Sequence, residues 1–140
     1  MSDFLDLKRF LDAQNPVFEK VRAELRRGVK EGHWMWFVFP QIQGLGHSWM
    51  AQKFGISSRA EAEAYLAHPI LGSRLIECTG LVNLVEGRSM EQIFGDVDTM
   101  KFRSSMTLFA HVASDSGVFA EALHKYFSGQ PDPLTLDRLR

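Results

Sequence analysis

The sequence predicts an all-α, compact, multi-helical single domain. Apolar residues recur every three or four positions through most of the chain, capping residues precede these stretches, and glycine follows many of them. A length of 140 residues suits one domain. A content of 45% hydrophobic and 24% charged residues is typical of a globular protein and not of a disordered one. We therefore expect one helical domain over residues 1–140.

Charge and cysteine content narrow the functional classes. Sixteen Lys and Arg residues against 17 Asp and Glu residues leave a net charge of −1, which disfavours a nucleic-acid partner. The longest strongly apolar run, 34–39, is far shorter than the roughly 20 residues of a membrane span. A single cysteine excludes an internal disulfide, and the first residues show no export signal. We expect a cytoplasmic protein with no membrane partner.

Two amphipathic helices are predicted first. One begins at Ser2 or Asp3 and ends at Asn15, after which Asn15 and Pro16 start a second helix that Gly32 ends. The predicted buried stripes are Phe4, Leu7, Phe10 and Leu11, followed by Phe18, Val21, Leu25 and Val29. The basic residues of the second helix are interpreted as its solvated face: Arg22, Arg26, Arg27 and Lys30.

Residues 33–47 interrupt this rhythm with an aromatic cluster that fits neither strict alternation nor a helical stripe. Pro40 and two glycines, Gly44 and Gly46, bound the cluster. A lone strand in a helical chain would have no partner to pair with. We therefore predict a packed helical turn or an irregular segment here.

Short helices are predicted next. One begins at Ser48 and is stopped by Gly55. In the following helix Ser58 and Glu61 have the spacing of a capping box, and the helix ends at His68.

The best helical pattern of the chain covers residues 71–85. Its apolar positions follow the spacing i, i+4, i+7, i+11 and i+14, and they are Leu71, Leu75, Cys78, Val82 and Val85. Gly87 closes the pattern. We predict that this helix is central to the core and that Cys78 is a buried core thiol.

The last third continues the helical pattern. Ser89 and Gln92 predict a capping box over a short turn that Gly95 ends, and Asp98 is expected to cap a helix over 98–113. The predicted inward residues of that helix are Phe102, Met106, Phe109 and Ala113. Two further helices begin at Ser116, with Phe119, Leu123 and Tyr126 on one face, and at Asp132 before Pro133.

The aromatic segment carries a family resemblance. The run from His33 to Gln41, HWMWFVFPQ, followed by GLG at 44–46, resembles the signature of the bacterial domain of unknown function 1810 family. Further matches follow in order: Arg9-Phe10, Ala13-Gln14, Ala64-Tyr65-Leu66, His68-Pro69, Leu71-Gly72, Arg74-Leu75, Ile93-Phe94-Gly95, Asp98, Lys101, Ser104 to Phe109, Lys125-Tyr126-Phe127 and Asp132 to Leu136. The resemblance covers nearly the whole chain and implies an all-helical fold.

The resemblance implies no established function and transfers no catalytic residue. Family members often carry the label calpastatin. That inhibitor is a disordered chain of short binding motifs, whereas the capped apolar stripes of this sequence describe a folded core. We therefore set that label aside and consider candidate sites by residue chemistry alone.

The first candidate site is the aromatic segment. Trp34 and Trp36, flanked by His33 and Gln41, are suited to stack on a flat ligand such as a base or a nicotinamide ring. The turn that contains Gly46 is able to present backbone N–H groups to an anion. The alternative is structural: the indoles belong to the core, His33 caps a helix end, and the glycines serve only the turn.

The second candidate site is on the helix over 98–113. Lys101, Ser104 and Ser105 share one face near its beginning. A lysine beside serine hydroxyls suits an anion site, and it also suits a nucleophile with a lysine base. The alternative is that the serines bond back to the helix and permit close packing.

The leading hypothesis is a cleft between residues 33–47 and the helix over 98–113 that binds an anionic, ring-containing, nucleotide-like small molecule. The alternative is a non-enzymatic helical module that binds another protein. No metal or cofactor is expected, because the five histidines have no ligand spacing. Whether the protein is an enzyme does not follow from these residues.

Overall fold

The computed structural model describes residues 6–140, and this part of the chain forms nine α-helices and no β-strand. The predicted all-α single domain is therefore confirmed. The helices are α1 Lys8–Gln14, α2 Phe18–Arg27, α3 Met35–Val38, α4 Trp49–Phe54, α5 Arg59–Ala67, α6 Leu71–Leu84, α7 Met90–Val112, α8 Gly117–Phe127 and α9 Pro133–Leu139. The proposed start of the first helix at Ser2 or Asp3 lies outside the described residues.

Helix α6 lies at the centre, as its sequence pattern predicts. Leu71, Leu75, Cys78 and Val82 are at most 1% exposed. The helix packs against α2, α5 and α8. Cys78 is a buried core thiol, and burial raises its pKa to about 12. His68 caps the beginning of this helix through its Nδ1 atom, which accepts the N–H groups of the residues at 70 and 71.

The second helix begins and ends where the sequence analysis did not place it. Asn15 and Pro16 form part of a turn, and α2 begins two residues later with no side-chain cap. It ends at Gly28, not at Gly32. Gly28 has φ +76° and its N–H group reaches the carbonyls of Glu24 and Leu25. Only glycine adopts this left-handed conformation at little cost, which is why the helix stops there.

Helix α7 is two helical pieces joined by a kink. Ser89 and Gln92 form the predicted capping box at its beginning. Gly95, at φ +81° and ψ 169°, breaks the helical geometry. The predicted cap at Asp98 is wrong, because the second piece already includes this residue, and its carboxylate pairs with Lys30 and Lys101. Phe102, Met106 and Phe109 are fully buried as predicted.

The segment over 33–47 is a short helix followed by irregular chain, in agreement with the prediction. After α3, Ile42 forms an isolated parallel bridge with Ile56. Ser48 then caps α4 by accepting the N–H group of Ala51. Helix α3 packs against α7, and α7 packs against α9. These contacts bring three segments that are distant in sequence to one side of the molecule.

No helix among residues 6–140 combines the length and the apolar character that crossing a bilayer requires.

Candidate functional site

A cleft of about 350 Å³ lies where the 33–47 segment, α7 and α9 meet. We call it the Trp36–Lys101 cleft. Its lining residues are Trp36, Gln41, Leu45, Gly46, His47, Ser48, Ala51, Val97, Met100, Lys101, Ser104, Asp132 and Leu134. The volume is in the usual range for small-molecule sites. The cleft therefore joins the two segments in which the sequence analysis placed its candidate residues.

Trp36 and Lys101 form a cation–π pair in the cleft. The Lys101 Nζ atom lies 4.5 Å from the centroid of the Trp36 ring. Trp36 is half-buried, and its indole N–H group has no hydrogen-bond partner within residues 6–140. A partly exposed ring beside an ammonium group offers a stacking surface and a positive charge together.

The charge of Lys101 is only partly neutralised. Its ammonium lies 3.6 Å from Asp98 Oδ1, whereas Lys30 lies 2.8 Å from Asp98 Oδ2. Lys30 also donates to the carbonyl of Gly32 at 2.6 Å. Lys30 and Lys101 thus share the Asp98 carboxylate. The shorter of the two ion pairs is that of Lys30, which does not line the cleft. The group of three keeps one net positive charge, which Lys101 presents at the cleft.

Asp132 is 6% exposed and, together with Ser104, forms the most buried polar part of the cleft lining, which we call its floor. Its Oδ2 atom accepts the Ser104 hydroxyl at 3.0 Å, the Thr135 backbone N–H at 3.2 Å and the Thr135 hydroxyl at 2.5 Å. Its own N–H group donates to Thr107 Oγ1 at 2.8 Å. Because two helices hold this carboxylate, its position is well defined.

The rim of the cleft is apolar and exposed. Val97 is 70% exposed, Met100 54% and Leu134 63%. Within the described chain these three residues belong to the small group of strongly exposed hydrophobic side chains, and all three line this cleft. Apolar side chains collected around a concave site, with polar groups at its floor, are typical of binding surfaces.

Five of the eight predicted site residues line the cleft: Trp36, Gln41, Gly46, Lys101 and Ser104. Three do not. Trp34 is 2% exposed, and its indole N–H donates to Glu24 Oε1 at 2.8 Å, so this ring belongs to the core. Ser105 is fully buried on another side of α7. His33 is exposed on the surface, away from the cleft.

Lys101 and Ser104 are separated by three positions, and both reach the cleft. One further residue turns the helix by about 100°, which takes Ser105 into the core. Ser105 Oγ has no hydrogen-bond partner there in the described part of the chain. The shared helical face inferred from spacing therefore holds for two of the three residues.

The comparisons with known proteins agree with the motifs. Residues 4–139 match the family described as "Protein of unknown function (DUF1810)". The chain belongs to this family. The crystal structure of the conserved hypothetical protein Rv1873 from Mycobacterium tuberculosis has the same fold, with a TM-score of 0.95 and 56% sequence identity over 96% of each chain. No match is found among curated proteins.

Membership in DUF1810 brings no assigned chemistry, so the site of this family member is described by its own residues. Sequence reasoning missed Asp132, Leu134 and His47 as members of the cleft. Asp132 followed by Pro133 has the pattern of a helix cap, and Asp132 does cap α9. Its second role, as a residue that lines the cleft, has no signal in the sequence.

Other concave surfaces of this DUF1810 member are less suited to a ring. A hollow of about 490 Å³ beside α1 has mainly charged lining residues, among them Lys8, Asp12 and Lys53, and no aromatic one. A smaller hollow of about 240 Å³ lies between α5, α6 and the start of α8. Within residues 6–140 no group of three or more His, Cys, Asp or Glu side chains is placed to hold a metal ion.

Proposed function

We propose that the Trp36–Lys101 cleft binds an anionic, ring-containing small molecule of the nucleotide type. One observation carries this proposal: the Lys101 ammonium lies 4.5 Å from the centre of the half-buried Trp36 ring, inside a cleft of about 350 Å³. A ligand that stacks on the indole is then within reach of the ammonium with its negative charge. Stacking and charge act on one molecule, which favours a ligand that has both features.

The remaining lining supports this ligand class. The apolar side chains of Leu45, Met100 and Leu134 offer contact to the faces and edges of a flat ring. The Gln41 side-chain amide lines the same cleft and makes no hydrogen bond to another described residue, so both its donor and its acceptor are available. The cleft therefore combines a few polar groups with an apolar wall.

A second candidate function is that of a protein-interaction module. The observation that favours it is the high exposure of Val97, Met100 and Leu134 around the cleft. An apolar segment of a partner protein would bury these three side chains. The two functions differ in their dependence on Lys101, because an apolar segment needs no cation.

Thermal unfolding with nucleoside 5′-monophosphates tests the proposal. A ligand that binds only the folded state at about 100 times its Kd stabilises the protein by roughly 2.7 kcal/mol, which raises Tm by several degrees. We expect such a rise for the wild-type protein. In Lys101→Ala the rise is lost, while Tm without nucleotide stays nearly the same, because the Lys101 ion pair is long and partly exposed.

The matched control is Lys20→Ala, which removes the same charge from an exposed position on α2. This variant keeps the full nucleotide response. An equal loss in both variants would mean that only net charge matters, and the absence of any response in the wild-type protein would favour the interaction module.

A further inference from the structure

We infer that Asp132 selects ligands whose ring carries a hydrogen-bond donor, such as an exocyclic amino group. This inference rests on the proposed function and adds the class of ring. Asp132 lines the Trp36–Lys101 cleft, and it is 6% exposed. The sequence position of Asp132 indicates only that it caps α9.

The two carboxylate oxygens of Asp132 have different surroundings. Oδ2 accepts three hydrogen bonds, from the Ser104 hydroxyl and from the backbone and hydroxyl of Thr135. Oδ1 accepts none from any residue in the range 6–140, and it is accessible to solvent. Lys101, a cation that lines the cleft, forms its ion pair with Asp98 instead. Oδ2 is thus hydrogen-bonded within the protein, whereas Oδ1 is available to a ligand in the cleft.

Once a bound ligand excludes solvent from this carboxylate oxygen, leaving it without a donor is costly unless another group satisfies it. In an occupied cleft that group belongs to the ligand. A carboxylate is acceptor-only when ionised, so it favours N–H or O–H groups and opposes carbonyl oxygens. An amino group of a base fits this requirement, and the phosphate of the same ligand is directed by repulsion away from Asp132 and toward Lys101.

The three donors to Oδ2 also determine how the side-chain amide of an asparagine would be oriented at position 132. In Asp132→Asn the amide oxygen replaces Oδ2, because the Ser104 and Thr135 groups donate to it. The amide nitrogen then occupies the position of Oδ1. An acceptor that faces the cleft becomes a donor, and the preference of the site reverses.

The test uses three pairs of 5′-monophosphates that differ at one ring substituent. The pairs are adenosine with purine riboside, guanosine with inosine, and cytidine with pyrimidin-2-one riboside. Affinities are measured by isothermal titration calorimetry on the full chain. We expect the wild-type protein to prefer the amino-bearing member of at least one pair by about tenfold or more, the size typical of a hydrogen bond to a charged group.

In Asp132→Asn this preference disappears or reverses in favour of the member without the amino group. Asp137→Asn is the control: it makes the same change on α9 at an exposed position that does not line the cleft. Its preference stays that of the wild-type protein, whatever stability is lost. If Asp132→Asn does not fold, the wild-type affinities for the three pairs decide the question.

The possible failures are distinguishable. If the wild-type protein binds the monophosphates but treats the members of every pair alike, the role of Asp132 is overturned and the proposed function stands. If none of the six compounds binds, both are overturned.

Discussion

Glu24 shows how this chain stabilises a nearly buried charge with three donors to one carboxylate oxygen. Its Oε1 atom accepts the backbone N–H groups of Glu31 at 2.8 Å and Gly32 at 3.0 Å, together with the indole N–H of Trp34 at 2.8 Å. Burial by itself would raise the pKa of Glu24, but the donors outweigh it and hold the pKa below the ordinary value of glutamic acid. The carboxylate thus joins α2 to the loop that leads into the aromatic segment.

The lowered pKa of Glu24 predicts a pH dependence of stability. A carboxyl group whose pKa is lower in the folded state stabilises the fold at pH values above its unfolded pKa, and this contribution is lost as pH falls through the folded value. We expect Glu24→Gln to lower the free energy of unfolding by about 1 to 3 kcal/mol at pH 7. The difference between the two proteins should shrink below about pH 4, as measured by urea unfolding.

Glu19→Gln provides the comparison, because Glu19 is an exposed residue on the same helix. Its effect on stability should stay small at every pH. A gap between wild type and Glu24→Gln that is constant from pH 3 to pH 7 would contradict the role given to the charge.

The two neighbouring tryptophans mark a limit of sequence reasoning at the scale of single residues. Trp34 is the N-cap of α3 and Trp36 lies inside it, and a helix of four residues is too short for a period that assigns a side to each residue. The structure buries Trp34 on Glu24 and leaves Trp36 half-exposed beneath Lys101. The residue that distinguishes them is Glu24, which lies ten positions before Trp34. It belongs to a helix whose sequence has an ordinary amphipathic pattern.

At the scale of elements, helices α5 and α6 approach closely at Gly72. A Cβ atom on this residue would lie 2.0 Å from the backbone oxygen of Leu66. Gly80 is also inside α6, but a Cβ atom there meets nothing within 4 Å. The same helix therefore contains one glycine that packing requires and one that it does not.

These two glycines give opposite predictions. Gly72→Ala must displace the α5 backbone, so we expect it to lower the free energy of unfolding by about 1 to 3 kcal/mol or more. Gly80→Ala should raise it by roughly 0.5 to 1 kcal/mol, because alanine favours a helix interior over glycine. Chemical denaturation of both variants is the measurement. Destabilisation of equal size in both would show that helix propensity, not the close approach, governs this region.

Most helices could be predicted from the sequence because caps and apolar periods are local signals. The capping box at Ser89 and the caps at Ser48 and Asp132 act within three residues of chain, and all three are observed. The end of α2 was misplaced because the apolar spacing continues past Gly28 to Val29, and sequence does not show whether Gly28 or Gly32 has the left-handed conformation.

The error at Asp98 has a tertiary cause. An aspartate before an apolar period is a reasonable cap, but its carboxylate is used by Lys30 and Lys101. Lys30 comes from the chain just after α2, which no local signal near residue 98 reveals. The ion pair took precedence over the cap, and the same ion pair positions Lys101 at the cleft.

At the scale of the whole molecule, the cleft depends on contacts between segments about 60 and 95 positions apart in sequence. Its aromatic wall comes from the 33–47 segment, its cation from α7 and its floor from Asp132. Sequence patterns identified the first two segments because both contain unusual groupings of residues. The contribution of α9 could not be predicted, because the pattern around Asp132 and Leu134 indicates only the beginning of a helix.

In this fold Trp34 contributes to stability, whereas Trp36 is placed to contribute to binding. Trp36→Leu keeps an apolar side chain on the half-buried wall but removes the stacking surface. We expect it to lower nucleotide affinity by roughly tenfold, in the range of lost aromatic stacking, with little change in Tm. Isothermal titration calorimetry and thermal unfolding measure the two quantities on the same samples.

Trp34→Leu should behave in the opposite way. It leaves the cleft wall in place, removes one donor from the Glu24 carboxylate and opens space beside Phe39 and Phe94, so the free energy of unfolding falls by about 2 to 5 kcal/mol. Nucleotide affinity, measured where the variant is fully folded, stays close to that of the wild type. If Trp34→Leu weakened binding as much as Trp36→Leu, stacking in the Trp36–Lys101 cleft would not be the source of affinity. In that case the interaction module would explain the exposed apolar rim better than a ring-binding site.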